Sequence, residues 1–267
     1  MRKPSSRDLS HIQFFNFAGK FGERVEDGTH QLSAQDYYDH GLYWKGHHSM
    51  DLSKGQGGYQ YKWLTLQTVK SKSIFDESYV NEPLRNPTNT HKKLGRLLQE
   101  YNFFVIVERM DESMVALALL LGLDISSTLV AASAKVSGSY ALAYRGRDAG
   151  RCIRRRSFDV PQEVHDHMKE NRYLGLTYAD QILYRASNIS LDLTIQETIG
   201  PKIFDKALEE YRFLKEKARD YCGSRLSSGC YANGTKILPV EPCYVADFGC
   251  GYKCLDEVVE KSRAGEL

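Results

Sequence analysis

The first ten residues, MRKPSSRDLS, bring two arginines and a serine to fixed spacing: Arg2, Arg7 and Ser10, with Pro4 between them. A guanidinium offers a planar fork of donors that matches a phosphate, and a serine hydroxyl adds a rotatable donor. If Arg2 ends a strand and Ser10 lies one to two turns into the next helix, both groups and the positive helix end can converge on one anion. The same residues also read as an ordinary helix start, capped by Ser5 or Ser6, with incidental arginines. Spacing alone leaves both readings open.

Other residue types that could do chemistry are scattered along the chain. Asp111 and Glu112 could serve an acceptor hydroxyl, or simply sit in the first turn of a helix as cap and dipole partner. His47 and His48, in a Gly-rich stretch, read either as acid/base groups or as exposed loop histidines. Arg151, Arg154, Arg155 and Arg156 could attract an anion or form a solvated charge run. Tyr59, Tyr61 and Trp63 could stack on a sugar or pack in the core.

The cysteines speak to compartment. Cys222, Cys230, Cys243, Cys250 and Cys254 crowd the C-terminal end, and Cys152 makes six. In a Gly/Ser/Tyr-rich stretch too short to bury a core of its own, this density points to disulfides and an oxidising compartment. A zinc site drawing on Cys243, Cys250 and Cys254 has permissible spacing as the alternative, and the connectivity stays open. Two sequons, Asn188-Ile-Ser190 and Asn233-Gly-Thr235, are acceptors for N-glycosylation and favour the same compartment.

The elements that must position these groups follow from pattern and punctuation. Thirty-six basic against 34 acidic side chains leave a formal charge of +2, so nothing global argues for binding to nucleic acid or a membrane surface. The longest apolar stretch, MVALALLLGL, has the length of a buried helix rather than a membrane span. Leu9, Ile12, Phe14, Phe15 and Phe17 predict a helix from Ser5 to about Phe17, and SAQDYYDH a short one within long surface loops over 19–61. THKKLGRLLQEY reads as a basic amphipathic helix. YNFFVIVE, a continuous apolar run over 101–108, reads as a strand buried on both faces, the mark of a parallel sheet. An apolar helix capped at Asp111 and ended by Gly122 follows, giving an α/β unit. SYALAY suggests another short strand. Helices are expected over VPQEVHDHMKEN, LTYADQILYRASN and a long segment from about Leu191 to Tyr221, with Ser190 as its cap. The division expected is 1–221 as the main domain and 222–267 as a cysteine-rich tail.

The string R-x-P-x-x-R-x-x-S-x-x-x-F, carried by Arg2, Pro4, Arg7, Ser10 and Phe14, resembles the 3′-phosphate-binding motif of Golgi carbohydrate sulfotransferases. FVIVERMDESMVALALLLGLD is similar to a strand, DES and leucine-rich helix segment of one branch, the galactose-3-O-sulfotransferases. YRGRDAG resembles that branch's Arg-Asp loop, ILYRASNISLDLTIQETIG its LY-x3-N-x-S helix start, and SMDLSKG a segment near its acceptor side. The resemblance covers roughly residues 1–222.

It implies a partial P-loop-type sulfotransferase fold, α/β, with a parallel sheet flanked by helices and a disulfide-rich C-terminal tail. It further implies 3′-phosphoadenylyl sulfate as co-substrate with no metal, and a galactose hydroxyl of a galactosylceramide-like glycolipid or glycan as acceptor. Arg2 and Ser10 would hold the donor's 3′-phosphate, with Arg7 and Arg147 as further candidates. The catalytic base is unassigned among His47, His48, Asp111 and Glu112. Nucleic acid is not an expected partner. The complete enzyme would lie in the Golgi lumen, held by an N-terminal membrane anchor. That anchor, the first strand and the Gly/Ser/Thr/Lys loop for the 5′-phosphosulfate do not occur in this chain, so it is expected to be truncated and inactive alone. The rival expectation is a secreted, non-catalytic carbohydrate-binding or interaction protein.

Overall fold

A computed structural model of the chain describes residues 1–11, 33–38, 87–129, 140–142, 150–154, 160–222, 229–231, 233–238 and 252–267. They fall into two compact units, one of 1–110 with 158–193, the other of 111–157 with 194–267.

The first unit is helical. α1 spans Pro4–His11 and α2 spans Ala34–Tyr37, opened by a capping box between Ser33 and Asp36. α3 covers Pro87–Glu100, α5 Gln162–His167, α6 Asn171–Leu176 and α7 Tyr178–Leu193; α4 belongs to the other unit but for its first residue. Apolar positions three and four apart build the centre. Leu94 and Leu97 of α3 meet Ala179 and Leu183 of α7, with Met1, Tyr101, Ile182 and Ala186 around them. On α7 the buried stripe runs Ala179 and Asp180, Leu183, Ser187, Leu191, a helical face with one acidic member. Tyr38, just past α2, donates its phenol to the Glu163 carbonyl at 3.3 Å and lies edge-on to His167.

The second unit is built on α8, Pro201–Cys222, with Phe204, Ala207, Leu208, Tyr211, Leu214, Ala218 and Cys222 buried along one face. Gly200, at φ +89°, ends a π-helical segment over Thr194–Ile199, and Pro201 starts α8 where a missing N–H costs nothing. Against α8 lie α9, Tyr252–Arg263, and a 3₁₀ turn, Ile125–Thr128; the Tyr211 hydroxyl donates to the Thr128 carbonyl at 3.2 Å. α4, Met110–Leu121, ends at Gly122 in a left-handed cap: the Leu123 N–H donates to the Ala118 carbonyl and the Gly122 N–H to that of Leu119.

Among the described residues the expected parallel sheet is not formed. Among the described residues the strands are β1, Tyr140–Leu142, and β2, Cys152–Arg154, and they pair antiparallel with Ala141 opposite Ile153. In the described residues the expected partial P-loop-type α/β architecture is thereby replaced by a predominantly helical one. The run 101–106 belongs to no strand, and it passes at Val107 into a 3₁₀ turn, Val107–Arg109. A continuous apolar run signals burial rather than a ladder. Ile106 is fully buried, as a sheet residue would be, but Leu94, Leu97 and Leu183 of the same unit show that helices supply its core. Ser190 is likewise not a cap: it lies inside α7, which continues to Leu193 before the π-helical segment.

Among the described residues two disulfides are present, both within the second unit. Cys152 of β2 joins Cys230, and Cys222 at the end of α8 joins Cys254 of α9. Cys230 also forms an antiparallel bridge with Lys236, and the turn between them packs tightly. Gly234 has φ +83°, and a Cβ there would stand 2.7 Å from Cε1 of Tyr140. Gly234→Ala is therefore expected to destabilise by about 1–3 kcal/mol through strain and displacement of the ring. Thermal unfolding would read this, and an unchanged midpoint would show that the turn relaxes freely.

Candidate phosphate-binding site

Met1 to Lys3 precede the first helix and are held by residues 105–108. The Met1 amine donates to the Val105 carbonyl, and the Val107 N–H donates to the Met1 carbonyl at 2.7 Å. Burial holds that amine below its ordinary pKa. The Lys3 N–H donates to Oε1 of Glu108 at 2.9 Å. The chain then turns at once into α1, with Pro4 as first helical residue. Proline suits that position because its φ is already helical and its missing N–H would have no helical acceptor. Arg2 thus sits just before the helix and in no strand, and Ser10, half-buried, is the seventh of the eight helical residues.

Between them the helix is tied inward by charge. The Arg7 guanidinium donates from Nε to Oδ1 of Asp8 at 2.7 Å and pairs through its terminal nitrogens with Asp8 and Asp180. Both carboxylates are fully buried. Asp8 accepts a further bond from the Tyr173 hydroxyl of α6 at 2.8 Å. Burial pulls the Arg7 guanidinium towards deprotonation, but the two carboxylates outweigh it and its pKa lies above the ordinary value. Burial pushes the Asp8 carboxyl up to about 6, with Arg7 and Tyr173 pulling back and Asp180 adding to the rise. Burial, then Asp8, raises the Tyr173 phenol well above its usual range. Arg7 spends its fork on carboxylates, so at this site it ties α1 to α7.

The remaining candidates stand elsewhere. Asp111, in the first turn of α4, pairs with Lys215 of α8 at 2.6 Å, a tie within the second unit. Glu112 is half-buried beside it in sequence. His47, His48, Arg147, Arg155, Arg156, Tyr59, Tyr61, Trp63, Cys243 and Cys250 lie outside the described residues. Arg151 is exposed just before β2. Asn188 lies within α7, its amide donating to the Tyr184 carbonyl at 2.9 Å. Asn233 is exposed in a turn where its side-chain oxygen accepts from the Thr235 N–H at 3.0 Å and from the Thr235 hydroxyl. Cys254 is spent in its disulfide and is not available as a thiolate to the alternative zinc set.

Asp180 and Tyr173 were not singled out from sequence. A signal for Asp180 existed: it is an acidic residue on the apolar stripe of α7, where a carboxylate needs a buried partner. Tyr173 gave no comparable signal. Among the described residues no helix is long and apolar enough to cross a membrane.

Compared with family models, with curated proteins and with solved structures, the chain matches none.

Proposed function

We propose that this chain binds the 3′-phosphate of 3′-phosphoadenylyl sulfate and serves a sulfotransferase acting on a galactose hydroxyl of a galactosylceramide-like glycolipid or glycan. The observation that carries the reading is local: the segment bearing Arg2 runs directly into an eight-residue helix bearing Ser10, with no acidic residue in its first turn. An anion at such a helix start gains from the helix dipole and the guanidinium fork; Ser10, the seventh of the eight helical residues, enters the reading through the resemblance. The reading rests on this site and not on fold, since one chemistry can occupy unrelated architectures. In the reaction the acceptor oxygen forms a bond to sulfur as the sulfur–phosphate oxygen bond breaks. Adenosine 3′,5′-bisphosphate leaves, and the hydroxyl proton passes to a base not assigned here. The two disulfides support an oxidising compartment, and the Golgi lumen is the compartment proposed.

The test is a binding measurement on the 267-residue chain. Arg2→Ala is expected to weaken adenosine 3′,5′-bisphosphate binding roughly 10- to 100-fold, the loss of a charge-assisted contact. Ser10→Ala should cost roughly 2- to 10-fold, the loss of a neutral donor. Unchanged affinity in both variants would remove the site.

A further inference from the structure

α3 is anchored to the first unit by Leu94 and Leu97, which meet Ala179 and Leu183 of α7. On its other side Lys92, Gly95, Arg96 and Gln99 are all exposed. At about 100° per residue these four share roughly 100° of the helix surface and form one strip. The strip breaks two local rules at once. Like charges four residues apart repel along a helix, and among the described residues neither Lys92 nor Arg96 has an ion pair to relieve that repulsion. The one acidic side chain of α3, Glu100, stands at its last residue. Glycine is, after proline, the least favourable residue in a helix interior. Packing does not ask for it here, since a Cβ on Gly95 would meet nothing within 4 Å. The backbone does not ask for it either, being helical and outside the left-handed region. Costs that folding does not require are expected where a surface has a use.

We propose that this strip binds a sulfated glycan, with Lys92 and Arg96 each holding a sulfate and Gly95 letting the sugar lie against the helix backbone. Glycine serves in this way wherever a ligand comes close to the main chain, and the Gln99 amide adds a donor one turn beyond Arg96. The cations follow the helix axis about 6 Å apart, a row that suits a linear polyanion. A fluid bilayer surface adapts to protruding side chains and gains nothing from a bare stretch of backbone. The disulfides favour an oxidising compartment, where sulfated sugars rather than nucleic acids are the linear polyanions met. The proposal uses no residue of α1 and stands apart from the phosphate reading.

The experiment measures binding of a heparin hexasaccharide to the 267-residue chain by calorimetry in about 0.1 M salt, where charges more than about 10 Å away are screened. Lys92→Ala and Arg96→Ala should each weaken binding about three- to tenfold. Gly95→Ala should weaken it about threefold by closing the approach to the backbone. The same variant should raise the thermal midpoint by about 2–4 °C, because alanine is the better helix former. A glycine needed only for structure would move stability the other way. A midpoint that falls in Gly95→Ala overturns the proposal, as does a hexasaccharide that does not bind or that binds Lys92→Ala and Arg96→Ala as it binds the unaltered chain. Equal binding of the desulfated hexasaccharide, which keeps its carboxylates, overturns it too, and so does binding of phosphatidylserine vesicles in place of the hexasaccharide. Arg2→Ala separates this strip from the phosphate site: it should leave hexasaccharide binding within about twofold, and a loss as large as that of Lys92→Ala would overturn the proposal by placing the glycan at Arg2.

Discussion

Arg7→Ala is expected to lower the free energy of unfolding by about 3–5 kcal/mol, the cost of removing the cation from a buried ion pair. The cost comes less from a lost attraction than from what stays behind. Asp8 and Asp180 are both fully buried, and without Arg7 the two carboxylates would lose the cation that bridges them. Arg7→Ala combined with Asp8→Asn and Asp180→Asn should recover more than half of the loss, because amides need no cation. If Arg7→Ala unfolds at the same denaturant concentration as the unaltered chain, these ion pairs do not hold α1. The pH dependence follows with a definite sign. The Asp8 pKa is raised on folding from 3.8 to about 6, so its contribution is complete below about pH 3.8 and is lost as pH rises through about 6. That component amounts to about 3 kcal/mol, and Asp8→Asn should abolish it.

The second large effect is expected in the cross-linked unit. The Cys152–Cys230 bond closes a loop with a sequence separation of 78 and Cys222–Cys254 one of 32. On the loop-entropy account these correspond to about 4.5 and about 4 kcal/mol. The two loops interlock, because Cys222 lies inside the first and Cys254 outside it. The contributions therefore overlap, and the sum is an upper bound. Cys152→Ala with Cys230→Ala should lower the thermal midpoint by more than about 10 °C. Reductant should do the same to the unaltered chain and have a smaller effect on the variant. A midpoint unmoved by either treatment would mean that β2 and the 229–238 turn are held by packing alone. β1, β2 and that turn offer few apolar side chains, whereas α8 packs on α9 along a buried face, so the first disulfide should matter more.

The helices were the legible part of this fold. In α8 the spacing of Phe204, Ala207, Leu208, Tyr211, Leu214 and Ala218 announces one buried face, and Gly122 marks the end of α4 through a conformation that glycine adopts without strain. The short strand at Tyr140 was also readable from sequence. FFVIV was misread for a physical reason: β-branched and aromatic residues report burial, and whether the buried chain joins a ladder depends on distant partners that the run does not encode. Ser190 failed differently. Serine is a good cap, but here the apolar stripe of α7 continues past it to Leu191, and tertiary burial outweighs the local preference.

At the site, the types and order of Arg2, Pro4 and Ser10 were readable, and so was the helix that follows Arg2, although it starts at Pro4 and takes in Ser5 and Ser6, the residues expected to cap it. The role of Arg7 was not. An arginine three residues from a proposed phosphate contact looks like a ligand until the carboxylates that claim it are known, and Asp180 lies more than 170 positions away in sequence. Only the fold brings them together.

The central claim is that α1 and the segment before it recognise a 3′-phosphate, and calorimetry of the 267-residue chain with two nucleotides tests it most directly. Adenosine 3′,5′-bisphosphate and adenosine 5′-monophosphate differ by that one group. The account predicts that the bisphosphate binds at least about tenfold more tightly, the worth of a charge-assisted contact, and that Arg2→Ala with Ser10→Ala brings the two affinities together. Equal affinities in the unaltered chain would contradict it.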